Sequence, residues 1–427
     1  MNSADSMQVS ALLEQLGYQP VSAAEEADVI VLNTCVVRQS AEDKAIGRLT
    51  SLKDYKTRHP NVIINLMGCL VGVKSDPDLK KRFPFVDIFS APSDPEPLIT
   101  FLANKESSPQ FAKEALLSQN LIREKHYDLP VSKHDQTASV FVPIVYGCSH
   151  ACTYCVIPLR RGREQSRPSA DIINEIIDLT AKGVREVTLL GQIVDRYGQD
   201  QAGMPTLGEL LRQVHAIDGM QRIRFLTSHP LWMNDELLDV VASLPKIMPH
   251  FELPIQSGDD QVLQRMRRGY SVEQFMKIVD KIRQRFTTVS IATDLIVGFP
   301  GETEIQFENT LSVLNAFQPD MTHVARYSPR PGTFSSREME DDVPSDEKMR
   351  RFRKVEQTQE AIVTRINQSY LKTTVPVLFE DRSKKRWRGR TPTNKLVFVE
   401  SEQNLFGKVL NVEIHWTGPW SLIGDVV

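Results

Sequence analysis

The sequence has little from which to build a disulfide framework. Its 427 residues include five cysteines, an odd number in a long chain, which excludes a small scaffold stapled by cross-links. Long apolar runs are also missing, and none reaches the ~18 residues of a membrane span. The opening Met1-Asn2-Ser3-Ala4-Asp5 has neither the basic nor the apolar segment of a secretory signal. Neither sign of charge is in excess: 51 Lys and Arg face 54 Asp and Glu, for a formal net charge of −3 at pH 7. No global positive field advertises nucleic acid, so any such contact must come from local patches. These absences leave the expectation of a cytoplasmic enzyme without membrane contact. With 41% hydrophobic and 25% charged residues the chain can build sizeable cores. Its length predicts two or three domains.

Residues 1–104 read as an α/β domain. Met7, Val9, Leu12, Leu13 and Leu16 have helical spacing, with Asp5 or Ser6 as the expected cap and Gly17 as the stop. Apolar runs at 29–32, 62–66 and 86–89 suit buried parallel strands, with a helix through Ile46, Leu49 and Leu52. A doubly wound domain normally opens with a strand, whereas this sequence opens at a helix cap. A leading strand is therefore expected upstream of Met1. Residues 105–138 are polar and weakly periodic, as in a linker. From 139 to 371, strand-like runs at 140–145, 186–190, 223–226, 251–253, 289–297 and 322–326 alternate with helical stretches, and a charged helix follows from 345. Six such units predict a partial (βα)6 barrel. Short alternating runs at 375–379, 396–399 and 407–414 predict a small β-barrel over 372–427.

Cys148, Cys152 and Cys155 form C-x3-C-x2-C directly after the first barrel strand. Soft thiolates in that spacing select an iron–sulfur cluster, zinc or copper. Three thiolates on a cubane leave one iron open to substrate, whereas zinc would take His150 as a fourth ligand. Spacing alone leaves both readings open. Further strand ends carry Gly191-Gln192, Ser228-His229-Pro230, Gln256-Ser257-Gly258, Gly298-Phe299-Pro300-Gly301-Glu302 and Tyr327-Ser328-Pro329-Arg330. Each alone is turn chemistry, but together they decorate the rim where βα barrels place catalytic groups. Cys35 and Cys69 each end a predicted parallel strand, which puts both on the ligand-binding edge of one sheet.

At these residues the sequence resembles the radical S-adenosylmethionine enzymes. The resemblance implies a [4Fe–4S] cluster held by Cys148, Cys152 and Cys155, with S-adenosylmethionine on its open iron. Reductive cleavage would then yield a 5′-deoxyadenosyl radical, chemistry that no side chain supplies. Gly191, Gln192, Gln256, Asp294 and Gly298 are the expected cofactor contacts. The full chain is similar to the methylthiotransferase family. The matching segments are Asn33-Thr34-Cys35, Gly68-Cys69, Arg161-Gly162-Arg163-Glu164 with Ser166-Arg167-Pro168, Leu253 to Gly258, Gly298 to Glu302 and Ser328 to Thr333. That resemblance implies an amino-terminal domain with a second [4Fe–4S] cluster at Cys35 and Cys69, a radical barrel and a terminal RNA-binding TRAM domain. The family holds its second cluster with three cysteines, the first in a Gly-Cys-Gln-Met-Asn segment. This sequence begins at Met1-Asn2, so the third ligand is expected upstream with the leading strand, and without it sulfur insertion should be impaired. Among the branches, Gln192, Leu253 to Gly258 and Ser328 to Thr333 are most similar to the one acting on isopentenylated adenosine beside the tRNA anticodon. The threonylcarbamoyl-adenosine branch is the alternative, and Ile193 and Asp195 stand where Gly-Gln-Asn-Val-Asn has its asparagines.

Between Arg382 and Lys395 lie seven basic residues and no acidic ones: Arg382, Lys384, Lys385, Arg386, Arg388, Arg390 and Lys395, with Trp387 among them. A basic stretch with an aromatic on a small β-barrel predicts RNA backbone contact and base stacking. Arg160, Arg161, Arg163, Arg265, Arg267 and Arg268 are expected to extend a phosphate-contacting surface. Asp195, Glu252, Glu302 and Arg330 are rim candidates, and no general base is singled out. The expected partners are tRNA and an electron donor such as flavodoxin or ferredoxin, with the chain itself a monomer. A rival of another class is a non-catalytic, zinc-stabilised RNA-binding protein. It accounts for Cys148, His150, Cys152, Cys155 and the basic tail, but leaves Cys35 and Cys69 unexplained.

Overall fold

The computed structural model of the protein describes residues 1–74, 77–105 and 137–427. The linker expected over 105–138 lies, apart from its ends, outside the described residues. The chain divides into two compact units. One comprises the described part of Met1–Gln136 with Tyr146–His150 and Cys155–Glu175; the other comprises Thr137–Val145, Ala151–Tyr154 and Ile176–Val427.

In the first unit, strands β1 (Val29–Thr34), β2 (Ile63–Gly68) and β3 (Ile88–Ser90) form a parallel sheet in that order. The middle strand is buried along its whole length, and its alternating side chains feed two cores. Ile64 and Leu66 join Leu49 and Leu52 of the helix Gln39–Arg58. Ile63 and Met67 join Val9 of the helix Asn2–Gln15 and Leu98 and Leu102 of the helix Glu96–Lys105. Helices on both faces make this the expected doubly wound layer arrangement. The first helix starts at Asn2, and neither Asp5 nor Ser6 caps it. Asp5 is buried inside the helix, where its carboxylate is taken by Ser93 and Arg161.

The second unit holds six parallel strands: β4 (Ser139–Pro143), β5 (Glu186–Leu190), β6 (Arg222–Phe225), β7 (His250–Glu252), β8 (Ser290–Val297) and β9 (Met321–Arg326). They form two sheets, β4-β5-β6 and β9-β8-β7, bridged between β6 and β7 by the isolated pair Ile223 and Ile247. Phe225 and Phe251 meet edge to face at 5.8 Å across that seam. Helices Leu207–His215, Val272–Arg285 and Glu304–Phe317 begin with reciprocal capping boxes at Thr206, Ser271 and Thr303. Each box satisfies two amides that the first turn would otherwise leave without partners. This is the partial (βα)6 barrel read from the sequence.

Five further strands close a small barrel: β10 (Thr374–Ser383), β11 (Arg386–Arg390), β12 (Leu396–Glu400), β13 (Val409–Thr417) and β14 (Leu422–Val426). Their order is β10-β11-β12-β14-β13, around Val377, Phe379, Val397, Val399, Val412, Ile414 and Leu422. Among the described residues no helix is long and apolar enough to cross a membrane.

Candidate functional site

The two amino-terminal cysteines stand together because their strands do. Thr34 and Gly68 are register partners at the ends of β1 and β2, so Cys35 and Cys69 follow at matching points. The Thr34 hydroxyl donates to the Met67 carbonyl at 2.7 Å and accepts from the Leu70 amide at 3.1 Å, while the Cys69 amide donates to the Thr34 carbonyl at 3.0 Å. Gly68 has φ +99°, and a Cβ there would lie 2.6 Å from both Asn33 Oδ1 and the Thr34 carbonyl oxygen. Only glycine lets the strands close this tightly. Cys69 is fully buried and Cys35 half-buried. Burial pushes the Cys69 thiol up, and the positive charge of Arg161 opposes that shift. Arg161 is therefore no phosphate-facing surface group. It is ion-paired to Asp5 at 3.0 Å with its side chain 4% exposed.

In the cysteine loop of the first unit, the Cys148 amide donates to the Gly162 carbonyl at 3.1 Å, and its Sγ accepts the His150 amide at 3.4 Å. Gly147 has φ +67°, with room for no side chain: a Cβ would lie 2.2 Å from the Arg163 carbonyl oxygen. Within the second unit, Arg268 donates to Cys152 Sγ at 3.2 Å, to the Pro254 carbonyl at 3.1 Å and to the Tyr270 hydroxyl at 3.0 Å. Arg268 is buried, which works against its charge, but Tyr154, Tyr270 and Cys152 outweigh burial and hold its pKa high. It too leaves the expected phosphate surface, because its fork is occupied by the sulfur and by protein oxygens. Thr153 fixes the segment further, its amide on the Met266 carbonyl at 3.1 Å and its hydroxyl on the Arg265 carbonyl at 2.9 Å.

Among the described residues no three His, Cys, Asp or Glu side chains are gathered as a metal-binding group. The donor chemistry nevertheless fits an iron–sulfur cluster. Cys148 and Cys152 accept N–H bonds at sulfur, which favours the thiolate that ligates and matches the hydrogen bonding of cluster sulfurs.

Around the second unit's rim, the residues named from the sequence fall into two groups. Gln256, Glu252 and Asp294 come together at the ends of β7 and β8: the Gln256 amide donates to the Asp294 carbonyl at 2.9 Å, and the Gln256 carbonyl accepts from Ile296 at 3.0 Å. Gln256 holds φ +72°, an uncommon conformation for a non-glycine residue and one that clusters at functional sites. Gly191 lies close against Val145 and Val194, and Gln192 beside it is half-buried. Other residues serve structure. Asp195 accepts the His229 amide at 2.9 Å, and Glu302 accepts the Gly298 amide at 2.6 Å and Arg351 Nη1 at 2.9 Å. The Gly298 amide is thus already spent within the protein. Arg330 is buried, and its carbonyl receives both the amide and the hydroxyl of Thr333.

Glu252 titrates unusually. Burial, then the Asp294 charge, pushes it up to about 7 against a bond from the Thr227 backbone. Between its ordinary 4.5 and about 7 the folded chain keeps a proton that the unfolded chain has lost, so rising pH destabilises. His250 on the same strand is pushed down to about 3, chiefly by burial and then by Arg224 and Lys395. Its contribution is present above 6.5 and is lost as the pH falls towards 3, the opposite slope. Glu252→Gln is expected to gain on the order of 2–3 kcal/mol above pH 7 and little at pH 4.5, read from urea melts at both values.

Three family models match successive parts of the chain: the uncharacterized protein family UPF0004 over residues 1–91, the radical SAM superfamily over 142–314 and the TRAM domain over 368–427. The chain is 44% identical over 429 residues to the tRNA-2-methylthio-N(6)-dimethylallyladenosine synthase of Roseiflexus sp. (strain RS-1), covering 99% of this chain and 87% of that protein. Proteins of the same name from Herpetosiphon aurantiacus (43%, covering 100% and 95%) and Dehalococcoides mccartyi strain CBDB1 (42%, covering 100% and 96%) match in the same way. The chain belongs to this family of radical SAM methylthiotransferases. A solved cobalamin-dependent S-adenosylmethionine radical enzyme is similar at TM-score 0.47 and 12% identity, over 83% of this chain and 50% of that one, too distant to bear on function.

The methylthiotransferase TRAM barrel separates the basic stretch into two sets. Side chains alternate along β11, so Trp387 points into the barrel core, 7% exposed, and is not available for base stacking. Lys395 is buried and paired with Asp320 at 2.8 Å. The carbonyls of Arg390, Thr391 and Pro392 accept from Arg222 and Arg224 at 2.7 to 2.8 Å, so this loop is docked on the amino-terminal ends of the (βα)6 strands. Arg390 itself is half-buried against Asn394. Arg382, Lys384, Lys385, Arg386 and Arg388 remain exposed. Three of these pair with Glu402, Glu400 and Asp381 at the surface, where such pairs contribute about 0–1 kcal/mol and yield easily to a phosphate. Arg222 and Arg224 themselves were not visible in the sequence as anchors of this loop, because the carbonyls they bind in the TRAM barrel lie more than 150 residues away.

Proposed function

We propose that this chain methylthiolates carbon 2 of N6-isopentenylated adenosine beside the anticodon of tRNA. The observation that carries this reading is the identity of 42–44% with synthases of that name over essentially the full chain. The site supports it residue by residue. Cys148, Cys152 and Cys155 are the ligands for one [4Fe–4S] cluster, and Arg268 holds Cys152 by its sulfur. Gln256, Asp294, Gly191, Gln192 and Gly298 are the residues this reading assigns to S-adenosylmethionine. Cys35 and Cys69 are ligands for a second cluster on the sheet edge. Bound cluster and S-adenosylmethionine together supply a carbon radical able to take hydrogen from carbon 2 of the adenine. Exposed Arg382, Lys384, Lys385, Arg386 and Arg388 contact the tRNA backbone. The chain works as a cytoplasmic monomer and takes single electrons from a flavodoxin or ferredoxin.

Three tRNA preparations test the substrate. After anaerobic reconstitution with iron and sulfide, the enzyme receives tRNA carrying isopentenyladenosine, tRNA carrying threonylcarbamoyl-adenosine, or unmodified tRNA. Mass spectrometry of the digested nucleosides should find a methylthio product from the first alone. Product from the second would move the chain to the other branch.

A further inference from the structure

Four tryptophans occur in the chain, and two of them have found partners. Trp232 stacks at 4.7 Å from the His229 ring and 4.7 Å from the Arg196 guanidinium. Trp387 lies in the core of the TRAM barrel, with Arg382 over its ring at 5.7 Å. The other two face water. Trp416, near the end of β13, is 47% exposed, and Trp420, in the loop before β14, is 53% exposed. Among the described residues neither ring is stacked on another aromatic ring or covered by a cation. Indoles are highly buried on average, so two half-exposed ones within five residues call for a cause.

The segment that displays them is fixed. Asn367, 3% exposed on the helix Ser345–Gln368, donates through Nδ2 to the Gly418 carbonyl at 2.8 Å and the Pro419 carbonyl at 3.1 Å. The Gly418 amide donates to the Ser421 carbonyl at 2.9 Å and closes the turn. Trp416 is seated against Gly418, where a Cβ would collide with Cη2 and lie 3.0 Å from Cζ3. A buried amide is thus spent on a turn that presents two rings to solvent. Rings ordered in advance lose little freedom when a partner covers them. The charge on the barrel says which partner. Exposed Lys372 stands beside β13, its amide on the Ile414 carbonyl at 2.7 Å, and the same barrel displays Arg382, Lys384, Lys385, Arg386 and Arg388. Cations that follow phosphates and open rings that stack on bases are the two halves of binding to unpaired nucleic acid.

We infer that Trp416 and Trp420 form a base-stacking subsite of the TRAM barrel, which takes unpaired bases of the bound tRNA. The inference rests on the reading of tRNA as the substrate. It also supplies the stacking surface that Trp387, turned inward, does not.

Stacking and phosphate contact respond differently to salt, and that difference gives the test. The anaerobically reconstituted full chain is titrated with fluorescently labelled isopentenylated tRNA at several KCl concentrations, and binding is followed by anisotropy. Trp416→Ala and Trp420→Ala are each expected to weaken binding about 5- to 150-fold, with the salt dependence of the affinity unchanged. Trp416→Phe and Trp420→Phe should keep most of the affinity, and Arg386→Ala should flatten the salt dependence instead. Unlabelled tRNA should quench the tryptophan fluorescence of the parent, and the double phenylalanine variant should lose that quenching. Alanine variants that bind within twofold of the parent overturn the inference and leave tRNA as the substrate. Weakened binding with a flattened salt dependence marks a distorted barrel and overturns it too. A parent chain that does not bind the tRNA overturns the substrate reading and the inference together. Should Trp416→Ala fail to fold, Trp420→Ala and the quenching decide.

Discussion

Replacing Cys148, Cys152 and Cys155 together by alanine is expected to abolish methylthiolation and to remove about four irons per chain. The loss should be complete rather than partial, because no side chain on the rim can generate a radical in the cluster's place. The fold should survive. Cys148 is tied to Gly162 through its amide, a bond that alanine keeps, and Cys152 and Cys155 are only half-buried. Arg268 loses its sulfur acceptor but retains the Pro254 carbonyl and the Tyr270 hydroxyl. The melting temperature of the metal-free variant should stay within a few degrees of the metal-free parent. Iron analysis, a thermal melt and nucleoside mass spectrometry on one preparation separate loss of cofactor from loss of structure. Surviving product would show that the C-x3-C-x2-C thiols are not the ligands.

Arg224→Met is expected to damage stability more than any surface change, by about 3–5 kcal/mol. Arg224 is 3% exposed at its side chain and lies 3.1 Å from Glu186, itself 3% exposed. Its two terminal nitrogens donate to the carbonyls of Thr391 and Pro392 at 2.8 Å each. Removing it leaves a buried carboxylate without its closest cation and two carbonyls without donors, and each deficit adds to the cost. Arg224→Lys keeps the charge but not the two-pronged reach, so it should fall between. Adding Glu186→Gln to Arg224→Met should recover part of the loss, since no charge is then left unpaired. Urea unfolding curves of the four chains measure this. A loss below about 1 kcal/mol for Arg224→Met would mean the TRAM loop is not held by this arginine.

What could be read from the chain was local. C-x3-C-x2-C after a strand, the apolar runs of the six barrel strands, and Cys35 and Cys69 at strand ends are short-range patterns, and the fold places each as read. Closure and docking were not legible. Trp387 in a run of arginines looks like a stacking platform until β11 pairs on both sides and turns it inward. Arg386–Arg390 carries too much charge to read as a strand, yet alternation buries only its second and fourth residues. Lys395 looks like one more cation for RNA until Asp320 is brought beside it. Arg161 and Arg268 were misread for the same reason. Their decisive partners, Asp5 and Cys152, are 156 and 116 residues away, and only the fold carries that information. Asp5 illustrates the converse: a good helix cap by residue type, it is drawn inside the helix because a buried guanidinium needs it more.

Hydrogen transfer from the substrate is the most direct test of radical chemistry on tRNA. The reconstituted enzyme is given S-adenosylmethionine, a reductant and isopentenylated tRNA carrying deuterium at carbon 2 of the target adenine. The 5′-deoxyadenosine released is then examined by mass spectrometry. Radical methylthiolation at carbon 2 predicts deuterium in the 5′-deoxyadenosine in step with the methylthio product. Deuterium that stays on the nucleoside, or 5′-deoxyadenosine that forms without label while product accumulates, would contradict it.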